Sequence, residues 1–122
     1  MRKKLLSLLL AGVMALGAAA TVQAAEGYEL ALITDVGTID DKSFNQGSWE
    51  GLEAYAKDND ITCKYYKPAE KSDAACLTSI DLAVKGGAKV IVTPGFLFEY
   101  PVLEAQDKYP DVTFIIIDAA PT

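Results

Sequence analysis

Residues Tyr28–Lys57 read YELALITDVGTIDDKSFNQGSWEGLEAYAK, and the order of patterns within them decides the fold class. Tyr28–Thr34 is an apolar, strand-like run. A glycine-containing loop with two adjacent carboxylates, Asp40 and Asp41, follows. Ser43–Lys57 then reads as a helix. Ser43 with Gln46 three residues on forms a capping-box pattern, and Phe44, Ser48, Gly51, Leu52 and Tyr55 recur at helical spacing. These five are expected to face inward, with the small residues Gly47, Ser48 and Gly51 letting the helix sit close to a sheet. Strand, loop and helix in that order open a βαβ unit.

The alternation continues to the end of the chain. Ile61–Tyr66 is a second strand, ended by Lys67-Pro68. Asp73–Lys85 is a second helix, capped by Ser72 and stopped by Gly86-Gly87, as glycine past a last turn should do. Its inward residues are Cys76, Ile80, Ala83 and Val84. Lys89–Thr93 is a third strand. Pro101 suits a first helical position, so Pro101–Lys108 reads as a third helix, and Val112–Asp118 as a fourth strand. Strands three and four are unbroken apolar runs, expected where helices cover both faces of a parallel sheet. The expected fold is α/β, a doubly wound parallel sheet. Four strands with three helices leave one sheet face poorly covered, so residues 25–122 read as the first part of a larger domain.

In open α/β sheets, ligands bind in the crevice beyond the carboxyl ends of the strands. Three strands end there in polar or glycine-rich sequence: Thr34-Asp35, Pro94-Gly95-Phe96, and Asp118. Asp35 and Asp118 offer acceptors for ligand hydroxyls, or else cap helices and bind their own loops. Phe44 is either core or a stacking platform beside Asn45, whose amide both donates and accepts. Asp40-Asp41 resembles a catalytic carboxylate pair, but acids just before a helix read as macrodipole and capping residues, and no partner residue suggests acid/base work. Trp49 reads as ordinary packing. No GxGxxG and no phosphate-binding loop is present.

Composition narrows the classes further. Arg2, Lys3 and Lys4 precede an uncharged run of 16 residues, Leu5–Ala20, and Val22-Gln23-Ala24 supplies small residues at a cleavage site. Together they read as a secretory signal peptide, residues 1–24, cleaved after Ala24. The alternative, an uncleaved anchor, needs about 20 apolar residues. Residues 1–24 hold three of the 11 basic and none of the 17 acidic residues, so the remainder carries a net charge of −9. That charge argues against nucleic-acid binding, which needs clustered Lys and Arg. The chain has no histidine and two cysteines, Cys63 and Cys76, which leaves no expected metal site. In an exported chain these two form either a disulfide or two buried free thiols.

The loop TDVGTIDDKSFNQGSWEGL, with KYYKPAEKSDA, DLAVKGGAKVIVTPGFLFE and AQDKYPDVTFIIID following in order, resembles the basic membrane protein family. These are substrate-binding components of ABC importers, similar to purine nucleoside receptors. The resemblance implies the N-terminal lobe of a type I periplasmic-binding-protein fold, a non-enzymatic protein without cofactor, and a purine nucleoside held between two lobes. It also implies an ABC permease as partner and a place in the periplasm or on the outer face of the cell membrane. On matching positions, Phe44 is the stacking ring and Asn45 a hydrogen-bonding partner. Asp35 is a polar contact, Gly95 and Phe96 line the cleft, and Asp118 is a further contact. Many relatives are lipoproteins, whereas no cysteine stands at this cleavage junction. Relatives are also roughly three times longer, so the second lobe and its aromatic are absent here. The competing readings are a small exported α/β enzyme or flavodoxin-like carrier, and a fragment that binds nothing.

Overall fold

The computed structural model describes residues 29–122. The expected signal peptide lies outside the described residues. Four strands, β1 (Leu30–Ile33), β2 (Cys63–Tyr66), β3 (Val90–Pro94) and β4 (Thr113–Ile117), form one sheet in the order β2-β1-β3-β4. Every pairing is parallel: Leu30 lies opposite Cys63 and Val90, and Val90 opposite Thr113. The crossovers are the helices α1 (Phe44–Asp58), α2 (Asp73–Lys85) and α3 (Glu99–Lys108). Because the chain steps one way from β1 to β2 and then back past β1 to β3, right-handed crossovers put α1 on one face and α2 and α3 on the other. This is the doubly wound parallel sheet that the sequence predicts.

The register divides the core. Ala31 and Ile33 of β1 and Ile91 of β3 point at α2 and α3, where they join Cys76, Ile80 and Val102 in the main buried cluster. Leu30, Leu32 and Val92 point at α1 and are also buried. β3 is covered on both faces as expected. β4 is not: it is an edge strand among the described residues, and Ile115, on the α1 side of the sheet, is 46% exposed. One sheet face is therefore incompletely covered.

Helix ends follow local chemistry. Ser72 caps α2, its Oγ accepting from the Ala75 amide at 3.1 Å. At the other end Gly87 N–H donates to Val84 O and Ala88 N–H to Ala83 O, a Schellman motif with Gly87 at φ 102°. α3 begins two residues before Pro101, after a 3-10 turn at Phe96–Phe98. Pro101 is tolerated at the third position because amides of a first turn have no intrahelical acceptor. A clasp joins α2 to α3: Tyr109 Oη donates to Asp81 Oδ1 at 2.5 Å, and Lys108 Nζ pairs with the same carboxylate at 3.1 Å.

Two expectations for α1 need correction. Its buried residues are Asn45 and Ala56, while Phe44, Gly51 and Tyr55 are exposed, so the inward face is turned by about one residue from the apolar stripe. Gly47 and Gly51 face open space, with nothing within 4 Å of where a side chain would start. Trp49 packs edge-on against Tyr65 of β2, ring centres 5.1 Å apart, as ordinary packing. The cysteines are free thiols on opposite sides of the sheet: Cys63 shares the α1 face with Tyr65, and Cys76 is buried among α2, α3 and β1. The sheet between them excludes the disulfide.

Candidate functional site

Parallel strands bring all their carboxyl ends to one edge. The loop after β1 folds back there on the first turn of α1, and a three-residue network fixes it. Asn45 is fully buried, at 0% exposure. Its Oδ1 accepts from the Asp35 amide at 3.1 Å, and its Nδ2 donates to Asp35 Oδ1 at 2.6 Å and to Asp41 Oδ2 at 3.0 Å. Both amide hydrogens are thereby used. Gly37 N–H donates to the same Asp35 oxygen at 2.6 Å. A Cβ at Gly37 would lie 2.7 Å from Asn45 Nδ2 and 3.0 Å from Asp35 Oδ1, so only glycine lets the loop close over this pair.

Asp41 caps α1. Its Oδ1 accepts from the Ser43 and Gln46 amides at 2.9 and 3.0 Å, and its Oδ2 from the Asn45 amide at 3.4 Å. Desolvation raises its pKa, but hydrogen bonds from Gln46, Ser43 and Asn45 outweigh it and hold the carboxyl below its ordinary value. Ser43 makes no side-chain cap bond, which corrects the expected capping box; Gln46 Oε1 accepts from the Lys42 amide instead. The acid reaches the amides first because it sits two residues ahead of Ser43. Asp40 accepts from the Thr38 hydroxyl. The acidic pair is thus occupied with its own loop and cap.

What remains open at the edge is a recess of about 130 Å³. Asp35 lines it with Oδ2 free of any hydrogen bond among the described residues, since both its partners hold Oδ1. Phe44, 50% exposed at the start of α1, presents its ring there. Gly95 and Phe96 come from the end of β3, with Phe96 74% exposed. Gly95 stands at φ 101°, ψ 169°, a conformation open essentially to glycine alone, and its amide donates to Ile117 O at 2.9 Å, tying the β3 and β4 ends together. Asp118 lines the far side in the left-handed region at φ 58°, which aspartate tolerates better than most residues.

Five of the six residues singled out from sequence therefore meet in one recess: Asp35, Phe44, Gly95, Phe96 and Asp118. Asn45 does not line it and stands behind Asp35. Three lining residues escaped the sequence reading: Val36, Leu97 and Lys71, the last from the loop between β2 and α2. The signal was the topology itself, because every strand of a parallel sheet delivers its loop to this edge. A larger open depression of about 390 Å³ lies beside α2 around Lys67, Glu70 and Thr78, and holds none of the six.

Comparison with known proteins places the chain in a family. A family model described as "ABC transporter substrate-binding protein PnrA-like" (Bmp) matches residues 28–122. An uncharacterized lipoprotein of Pyrococcus abyssi is 34% identical over 103 residues, 84% of this chain and 25% of its own length. The CD4+ T-cell-stimulating antigen of Listeria monocytogenes is 31% identical, covering 79% of this chain and 28% of that protein. The ABC transporter nucleoside-binding protein BmpA of Lactococcus lactis is 30% identical, covering 73% and 26% respectively. Among solved structures, a solute-binding protein of an ABC transporter system from Aeropyrum pernix superposes with a TM-score of 0.66 at 29% identity, over 76% of this chain and 25% of that one. The chain spans about a quarter of the length of the curated relatives it matches.

Proposed function

Since the chain belongs to the PnrA-like (Bmp) family of ABC transporter substrate-binding proteins, we propose that its recess is one wall of a purine nucleoside site serving an ABC importer. The family is one of substrate-binding proteins rather than of enzymes, and its fold is periplasmic-binding-protein-like. One observation carries the reading: a half-exposed aromatic ring, Phe44, shares a recess with a carboxylate, Asp35, that has one oxygen immobilised and the other free. An aromatic face stacks a heterocycle, and a fixed acceptor takes a ligand N–H or O–H. Asp118 adds a second acceptor. The relative from Lactococcus lactis, described as nucleoside-binding, supports the ligand class.

In this reading Asn45 is a positioning residue. It touches no ligand but holds Asp35 to the helix cap through Asp41. The protein works outside the cytoplasmic membrane, as the lipoprotein relatives suggest, after removal of residues 1–24. A permease receives the ligand, and no nucleic acid is bound.

The recess of about 130 Å³ is well below the roughly 300 Å³ at which small-molecule pockets begin. We assign the opposite wall to the length that relatives have beyond the matched quarter. Residues 29–122 by themselves then bind nucleosides weakly, because closure supplies the second wall and excludes water. Titrating the ¹⁵N-labelled chain with inosine tests this. The expected result is saturable shifts of the Asp35, Phe44, Gly95, Phe96 and Asp118 amides at millimolar ligand. No shifts, or shifts confined to the α2 depression, would overturn the proposal.

A further inference from the structure

The recess has a chemical direction. Its polar side chains are Asp35 and Asp118, which only accept, and Lys71, which only donates. Lys71 pairs with neither carboxylate: among the described residues the ion pair is Lys108–Asp81, and the Lys71 side chain takes part in no hydrogen bond. A lysine and two carboxylates lining one recess without bridging leave space between them for the groups of a ligand.

Strand order sets where the three stand. Lys71 follows β2 and Asp118 follows β4, the two edge strands, while Asp35 follows β1 between them. The strands that deliver these loops, β2 and β4, stand three spacings of about 4.8 Å apart along the sheet edge. An elongated ligand lying across the strand ends therefore meets an ammonium at one end and a carboxylate at the other. The sugar of a nucleoside carries hydroxyl donors that suit Asp118. Its base then lies over Phe44 toward Lys71.

Resting on the nucleoside reading, we infer that Lys71 is a specificity-determining contact that donates to the 6-oxo group of the base and selects oxopurine nucleosides over adenosine. In adenosine a 6-amino donor faces the ammonium, and neither group finds an acceptor. Discrimination by such an unpaired polar contact is stronger than discrimination by shape.

The test compares inosine and adenosine by NMR titration of the wild-type chain, Lys71→Met and Lys71→Arg. Lys71 is exposed, so both variants should keep the wild-type dispersion of amide signals. Inosine is expected to bind at least about fivefold tighter than adenosine, consistent with a hydrogen bond from a charged donor. Lys71→Met should bring the ratio to about one through loss of inosine affinity alone, and Lys71→Arg should keep the preference. An unchanged ratio in Lys71→Met, or no preference in the wild type, overturns the inference while leaving the nucleoside site standing. If neither nucleoside shifts the recess amides, the nucleoside reading fails and this inference with it.

Discussion

Asn45 Nδ2 lies 2.6 Å from Asp35 Oδ1, and this bond between a fully buried amide and a strand-end carboxylate organises the site. It leaves Asp35 with one oxygen fixed and one free. Asn45→Ala removes three hydrogen bonds and leaves the Asp35 amide without its acceptor. The expected loss is ~1–3 kcal/mol in urea unfolding, with faster hydrogen exchange at Asp35 and Gly37. Gly37→Ala should act on the same pair from the loop side, because its Cβ meets Asn45 Nδ2 at 2.7 Å. Unchanged stability and exchange in both variants would show that the network is incidental.

Gly95 predicts a backbone effect separable from side-chain chemistry. At φ 101° an alanine would be strained although nothing obstructs its Cβ. Gly95→Ala is expected to cost ~1–3 kcal/mol and to disturb Asp118 through the Gly95–Ile117 bond. Thermal unfolding with the Asp118 amide signal as local probe measures both; an alanine tolerated without loss would refute the strain argument.

The cysteines predict an alkaline limb. Burial, and to a lesser degree Asp73, pushes the Cys76 thiol up to about 11, and burial with Glu53 also raises Cys63. A folded-state pKa above the unfolded value means stability that is complete below the ordinary thiol value of 9.0 and lost as pH rises through about 11. Folded protein should show two thiols, with Cys63 alkylated before Cys76. Rapid, equal labelling at neutral pH would contradict the buried position of Cys76.

Ile115 predicts self-association. It is half-exposed on an edge strand, a combination that invites pairing with another chain. Ile115→Lys should lower the concentration-dependent association seen by analytical ultracentrifugation and leave the fold intact. Equal association in wild type and variant would locate the contact elsewhere.

The strand and helix order was legible because its signals are local. Asp73–Lys85 has a serine cap and a diglycine stop, and the helix begins and ends on those residues. α1 was misread by about one residue because its key inward side chain is polar: hydrophobic periodicity cannot register Asn45, and Phe44 and Tyr55 supplied a false stripe. The same blindness hid the cap, where Asp41 does what Ser43 was expected to do. β4 looked fully buried because VTFIIID is nearly all β-branched or aromatic, yet coverage depends on helices that sequence composition does not locate. Asp35, Gly95 and Asp118 were visible as strand ends. Lys71 was not, since a surface lysine gains meaning only when the topology returns its loop to the shared edge.

The central claim is that Phe44 is the stacking ring of a nucleoside site. Intermolecular nuclear Overhauser effects between inosine and the ¹³C-labelled chain test it most directly. The account predicts contacts from the base protons H2 and H8 to the Phe44 ring, lost in Phe44→Ala together with ~1–3 kcal/mol of binding and with little change in stability. Contacts to other residues alone, or inosine affinity unchanged in Phe44→Ala, would contradict it.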